Sequence, residues 1–295
     1  MGKSATPELG ALALRSSLRS HLKVPEDHKE EQMTQTDKLL SRKEAGVGFV
    51  TFNNPERHNA VSLEMWEATT GVLVKFADDD EVRVVVITGA GGKAFVSGAD
   101  ISKFASERAS IEATRAYDVK TAAAFNSIYE FPKPTVAMIR GYCIGGGVGL
   151  ASCCDLRICS DNSTFAVPAA KLGLGYAYAG LKRLVDIVGP SFAKEIFYTA
   201  RQFDAREAYA MGLVNRVVPE AELESCVKSI ADMICANAPL TIKTAKFTVG
   251  EILKDESKRD VARVDQMVEA CFASRDYTEG RTAFMEKRKP AFTGT

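Results

Sequence analysis

The stretch Lys133-Pro-Thr-Val-Ala-Met-Ile-Arg-Gly-Tyr-Cys-Ile-Gly-Gly-Gly147 carries the reading of this chain. Pro134-Thr-Val-Ala-Met-Ile139 is short and apolar, as a buried strand requires. Three consecutive glycines follow, and Val148-Gly-Leu-Ala151 continues as a small apolar helix. Glycine lets a backbone pass close to a ligand and leaves amide N–H groups uncovered. A helix starting there adds the positive end of its dipole. Two such N–H groups from separate loops would make an oxyanion hole for a polarised carbonyl. A glycine triplet alone is more often a packing device, so a second loop is needed.

That second loop is Ala94-Phe-Val-Ser-Gly-Ala-Asp-Ile-Ser102. It follows Arg83-Val-Val-Val-Ile-Thr88, a continuous apolar run suited to a sheet buried on both faces, and the break at Gly89-Ala-Gly-Gly92. No G-x-G-x-x-G or G-x-x-x-x-G-K-[ST] phosphate loop competes with this reading.

Outward from these loops the chain alternates strands and helices. Gly46-Val-Gly-Phe-Val-Thr-Phe-Asn53 reads as a strand and Asn53-Asn-Pro-Glu56 as a turn. Ser62 to Phe76 reads as a helix, with Ser62 as N-cap and Leu63, Trp66, Val72 and Leu73 as its apolar positions. A long helix is expected from Ser110 to Tyr129, and a short strand at Leu156-Arg-Ile-Cys159. This alternation predicts an α/β fold. After Val218 the pattern turns helical, over Glu220 to Asn237, Leu240 to Leu253, Val261 to Ser274 and Glu279 to Lys287. Their apolar faces need either the core or a neighbouring subunit to cover them. The expected division is a flexible extension over 1–40, an α/β core over 41–219 and a helical region over 220–295.

Lys plus Arg and Asp plus Glu both number 38 in 295 residues, so nothing electrostatic points to nucleic acid or an anionic membrane as partner. No apolar run approaches the ~20 residues that span a bilayer. The seven cysteines are odd in number and form no C-x-x-C pair. They read as reduced thiols used as small hydrophobes, which implies a reducing compartment. No His, Cys, Asp or Glu set has metal-ligand spacing, so no metal is expected. Lys3, Arg15, Arg19 and Lys23 with only Glu8 as acid give the first 23 residues two readings. One is a disordered extension, or an upstream start codon with Met33 as an alternative start, on a cytoplasmic protein. The other is a targeting peptide for the mitochondrial matrix.

Taken together, the motifs resemble the crotonase (enoyl-CoA hydratase/isomerase) superfamily over roughly Lys43 to Phe292. The carrying segments are Asn54-Pro-Glu-Arg-His-Asn-Ala60, Ser97-Gly-Ala-Asp-Ile101, Gly141-Tyr-Cys-Ile-Gly-Gly-Gly147 and Cys154-Asp155. Asp204-Ala-Arg-Glu-Ala-Tyr-Ala-Met-Gly-Leu-Val-Asn215 and Glu279-Gly-Arg-Thr-Ala-Phe-Met-Glu-Lys-Arg-Lys289 complete the set. The resemblance implies a core of repeated ββα units with a helical C-terminal region used for oligomerisation, in a homotrimer or a hexamer. It implies an acyl-CoA substrate, with coenzyme A as part of the substrate and no tightly bound cofactor. It places oxyanion donors at the N–H groups of Ala99 and Gly146. It places coenzyme A contacts at Arg57, His58, Ala60, Asp100 and Ile101, and at Phe284 and Lys287 toward a neighbouring subunit. Taken bare, His58 is as readily a surface or packing histidine, and Lys287-Arg-Lys289 a solvated helix end.

The sequence departs from the family at two positions that matter. The resemblance implies a glutamate two residues after the glycine triplet and another after the proline that follows a phenylalanine strand. Here these positions are Gly149 and Ala169. Neither side chain moves a proton, and each general acid or base is worth roughly 10²–10⁴ in rate. Hydration is therefore expected to be weak or replaced. Tyr176 and Tyr178 are candidate proton donors; Ser97 and Glu107 flank the oxyanion loop, and Asp155 reads as a structural aspartate. Three readings stay open: an acyl-CoA enzyme of another reaction, such as a decarboxylase or thioester hydrolase; a narrow hydratase or isomerase; and a non-catalytic acyl-CoA-binding or assembly protein.

Overall fold

A computed structural model describes residues 36–107 and 109–295. The expectations for residues 1–35, the targeting peptide and the start at Met33 among them, lie outside the described residues.

Two sheets organise the core. The larger runs in the order β1 (Leu39–Glu44), β2 (Val47–Phe52), β3 (Val84–Gly89), β5 (Thr135–Ile139), β7 (Leu156–Ser160) and β10 (Arg216–Val218). Only β1 is antiparallel to its neighbour. The smaller runs β4 (Ala94–Val96), β6 (Tyr142–Ile144), β8 (Thr164–Ala166) and β9 (Phe203–Asp204). Each of the pairs β3/β4, β5/β6 and β7/β8 sends its first strand to the large sheet and its second to the small one. A helix follows within each of the first two units: α2 (Ile111–Tyr129) and α3 (Gly146–Ala151). This is the repeated ββα architecture.

The valine run of β3 is continuous because both of its faces are buried. Val85 and Ile87 enter the main core with Phe52, Trp66 and Phe95. Val84 and Val86 enter a second cluster with Leu223, Val227 and Ile230 of α6 (Leu223–Ala236). Fully burying each such side chain contributes roughly 1.5–3 kcal/mol before entropy is counted. Opposite α6, α1 (Leu63–Asp78) packs along α2, with the Trp66 and Phe125 rings 4.9 Å apart.

Local signals set the helix ends. Ser110 caps α2, its side chain accepting from the Ala113 N–H at 3.1 Å. Ser62 stands at the N-cap of α1 but makes no capping bond. Its hydroxyl goes to Glu64, and the Leu63 N–H is taken by Glu107 at 3.4 Å. Lys133 closes the other end of α1, donating to the carbonyls of Phe76 and Asp79 at 2.8 and 2.6 Å.

Among the elements not foreseen are β1 and α4 (Tyr178–Thr199), which is kinked at Gly189 ahead of Pro190. Beyond α5 (Ala205–Ala210) and α6 come α7 (Pro239–Ile252), α8 (Val261–Ala273) and α9 (Arg275–Glu286). The last begins four residues before the expected start because Ser274 caps it, accepting from the Tyr277 N–H. Helices α7 to α9 enclose an apolar cleft of about 770 Å³ and leave Ile252, Phe272 and Phe284 more than half exposed. All seven cysteines are unpaired; burial pushes the thiols of Cys153 and Cys159 up to about 11 and about 12. Among the described residues no helix is long and apolar enough to cross a membrane, and no three His, Cys, Asp or Glu side chains are grouped so as to hold a metal ion.

Candidate active site

Strands β4 and β6 lie side by side and parallel, so their following loops leave the small sheet at the same edge. One loop is Ser97–Asp100 and the other is Gly145–Gly147. Their backbones lie close together, and Gly147 and Gly98 are positions that only glycine fits. A Cβ at Gly147 would stand 2.0 Å from the Val96 carbonyl oxygen, and Gly98 holds a φ of +103°. A Cβ at Gly146 would lie 3.5 Å from Gly98 Cα and 3.8 Å from the Ala99 nitrogen.

This packing leaves two amides free. Val61 pairs with Ala99 in parallel register: the Val61 N–H donates to Gly98 and the Asp100 N–H donates to Val61. That arrangement turns the Ala99 N–H away, and it has no acceptor among the described residues. Gly146 is the first residue of α3, so its N–H has no carbonyl one turn back to bond. Two neighbouring donors with no internal partner can receive one carbonyl oxygen.

The same edge gathers Arg57, His58, Ala60, Asp100 and Ile101. The Ser97 N–H donates to the His58 carbonyl at 3.1 Å, fastening the 54–60 loop to the 97–100 loop. Asn59, at φ +55°, donates to the carbonyls of Ala90 and Ala94 and fixes that loop from below. Arg57 reaches Ser102 at 2.6 Å and Asp100 at 3.4 Å. Burial alone would raise the Asp100 carboxyl. The Ser102 hydroxyl and N–H, with the charges of Arg57 and Lys103, outweigh it and hold the group below its usual value. The His58 ring packs edge-on to Tyr142, and Ile101 is 61% exposed. Phe284 and Lys287 are not part of this group within one chain. Phe284 lines the cleft of α7 to α9, and Lys287, at φ +55°, ends α9.

At Gly149 a Cβ would make ordinary contact with Phe125, 3.5 Å from its Cζ. Ala169 is buried, in the helical turn Pro168–Leu172. Tyr176 packs edge-on against Phe197, and burial raises its phenol above the usual value, which keeps the hydroxyl protonated. Tyr178 opens α4 and is 79% exposed, away from the enclosed side of that segment. Ser97 donates to the Arg57 carbonyl. Asp155 accepts from the Thr135 N–H and hydroxyl and from Lys246, a structural set of bonds. Glu107 caps α1 through Oε1, while its Oε2 is buried with no partner. Trp66 Nε1 and Thr121 Oγ1 are also buried without partners. Sequence reasoning took Trp66 as an apolar core position and passed over Thr121, since nothing in a helical pattern marks an unpaired polar atom.

Residues 42–295 match the family described as enoyl-CoA hydratase/isomerase. The chain is 35% identical to a short-chain-enoyl-CoA hydratase of Clostridium acetobutylicum, over 86% of this chain and 97% of that protein. It is 36% identical to a crotonyl-CoA hydratase of Syntrophomonas wolfei, over 87% and 98%. The crystal structure of an enoyl-CoA hydratase/carnithine racemase from Magnetospirillum magneticum superposes with a TM-score of 0.83 at 35% identity, covering 88% of this chain and 97% of that one.

Proposed function

The chain belongs to the enoyl-CoA hydratase/isomerase family, and from that premise we propose that it binds an acyl-CoA thioester and stabilises its enolate with the N–H groups of Ala99 and Gly146. The close approach of the two glycine loops, with both amides free, is the observation that carries this reading. As the electron pair moves onto the thioester oxygen, two fixed donors meet the developing charge at no cost in reorganisation. The loop of Arg57, His58, Ala60, Asp100 and Ile101 stands at the same edge and offers a guanidinium and backbone groups to the coenzyme A moiety.

Proton handling differs from the two-glutamate scheme. Gly149 faces a phenyl ring and Ala169 is enclosed, so no carboxylate stands at either position. Reactions that generate the enolate without a base suit these residues better than hydration. In the decarboxylation of a malonyl-type thioester, the breaking C–C bond supplies the electron pair, and the enolate then takes a proton from water or from a neutral phenol such as Tyr176. The exposed apolar faces of α7 to α9 support assembly into a trimer or a pair of trimers, which would carry Phe284 and Lys287 toward a neighbouring subunit.

Calorimetry with an unreactive S-alkyl-CoA thioether tests the reading. One site per protomer is expected. Absence of binding at millimolar ligand, with the protein folded, overturns it.

A further inference from the structure

Asn59 is fully buried, and both ends of its side-chain amide are hydrogen-bonded. Its Oδ1 accepts from the Asn54 N–H at 2.9 Å, which closes the 54–60 loop on itself. Its Nδ2 donates to the Ala90 carbonyl at 2.9 Å and to the Ala94 carbonyl at 2.7 Å. Those two carbonyls stand at the two ends of the turn between β3 and β4. The slot for the amide exists because residue 89 is glycine: a Cβ there would stand 2.6 Å from Asn59 Nδ2. His58 and Asn59 hold successive positive φ angles of +51° and +55°. Asparagine is among the residues that tolerate such a backbone. A carboxylate of the same shape would turn only acceptors toward the two carbonyls.

The segment 58–61 runs along the oxyanion loop. The His58 carbonyl accepts from the Ser97 N–H at 3.1 Å, the Val61 N–H donates to the Gly98 carbonyl at 2.8 Å, and the Val61 carbonyl accepts from the Asp100 N–H at 2.9 Å. The last two bonds straddle Ala99 and turn its N–H away from Val61. The 58–61 segment thus sets the direction of that N–H, and Asn59 fastens the segment to the sheet. An oxyanion donor acts when it lies about 2.7–3.1 Å from the oxygen it serves. A small tilt of the segment therefore takes the Ala99 N–H out of range and leaves the Gly146 N–H where it is.

We infer that Asn59 is a positioning residue for the Ala99 donor, acting through the 58–61 segment. The inference rests on the enolate-stabilising reading above. Being fully buried, Asn59 works without touching the thioester. Its neighbours Arg57, His58 and Ala60 are the residues offered to the coenzyme A moiety, so one amide holds both the carbonyl donor and the loop beside it.

Spectra of full-chain variants saturated with an arylacryloyl-CoA test this, because the absorbance of the bound thioester reports its polarisation separately from affinity. The parent shows a shift to longer wavelength. Asn59→Gly accepts the left-handed backbone and removes the three side-chain bonds; it binds and loses most of the shift. Asn59→Asp keeps the shape and the acceptor for Asn54. Burial and the two facing carbonyls raise its carboxyl, so acidification protonates it, restores one donated bond and recovers part of the shift, while the parent's shift stays flat. Ser110→Ala, which removes the cap of α2 instead, destabilises the fold and keeps the full shift. If Asn59→Asp does not fold, Asn59→Gly still decides. Retention of the parent shift in ligand-saturated Asn59→Gly, loss of binding altogether in that folded variant, no recovery on acidification in folded Asn59→Asp, or an equal loss of shift in Ser110→Ala overturns the role of Asn59 and leaves the enolate-stabilising reading intact. Absence of the shift in the ligand-saturated parent overturns both.

Discussion

Replacing Gly146 by alanine separates the proposed polarising role from the fold. The added Cβ would meet Gly98 Cα at 3.5 Å and the Ala99 nitrogen at 3.8 Å, both ordinary contacts. Gly146 is helical, and alanine is the better helix former by up to about 1 kcal/mol. The variant should therefore melt at or above the parent temperature. The methyl nonetheless enters the gap between the two loops, where an oxygen must lie about 2.7–3.1 Å from both donors. Displacing it from one donor costs about 3–4 kcal/mol of transition-state stabilisation, or 10²–10³ in rate. A conjugated arylacryloyl-CoA reports the same loss without turnover, because polarising its carbonyl shifts its absorbance to longer wavelength. The parent should show the shift, and Gly146→Ala should lose it while melting normally. A folded variant that keeps the full shift refutes the placement of the hole at Ala99 and Gly146.

Two further outcomes follow from the geometry. Crotonyl-CoA hydration, followed by absorbance, should run orders of magnitude below that of a two-glutamate relative. Gly149→Glu with Ala169→Glu should raise it only when Phe125→Ala clears the ring that stands 3.5 Å from the Gly149 Cβ position; a double variant as fast as the triple shows that ring to be no obstacle. The second concerns acid. Glu279 accepts from Arg288 through both oxygens and from the Ala291 N–H. The Arg288 bonds, then the Ala291 N–H, lower its carboxyl from 4.5 to about 2. A depressed folded-state value means that this stabilisation is complete above the unfolded value near 4.5 and is lost as pH falls through about 2. Hydrogen exchange over 288–295 should rise across that window, and Glu279→Gln should flatten the rise; an unchanged profile in the variant removes Glu279 as its cause.

The elements legible in the sequence are those whose burial follows a simple period. The valine run of β3 announces a strand buried on both faces, and α2 shows its serine cap and its length. Strand β1 escapes because it is an edge: only Leu39 of its six residues is buried, so no apolar alternation marks it. Helix α4 escapes because Gly189-Pro190 interrupts its pattern. At the site, the two glycine loops and the 54–60 turn are legible as segments because each is a short ordered motif whose conformation belongs to the backbone. Glu107, Trp66 and Thr121 are different. Their burial without partners depends on how α1, α2 and the 104–107 turn meet, and no local pattern encodes that meeting.

The close fit of Gly147 against the Val96 carbonyl has a consequence for what this chain can become. The spacing between the two amides is set by main chain pressed on main chain, with Asn59 bracing the neighbouring loop, so the side chains at 149 and 169 are not needed to maintain it. Positions such as 149 and 169 can then change from acid to inert, or back, without disturbing where a carbonyl would sit. In the function proposed above, charge stabilisation comes with the path of the polypeptide, while proton transfer is an interchangeable fitting. On that function, a scaffold divided in this way would keep its grip on the thioester while substitutions around positions 149 and 169 change its proton chemistry.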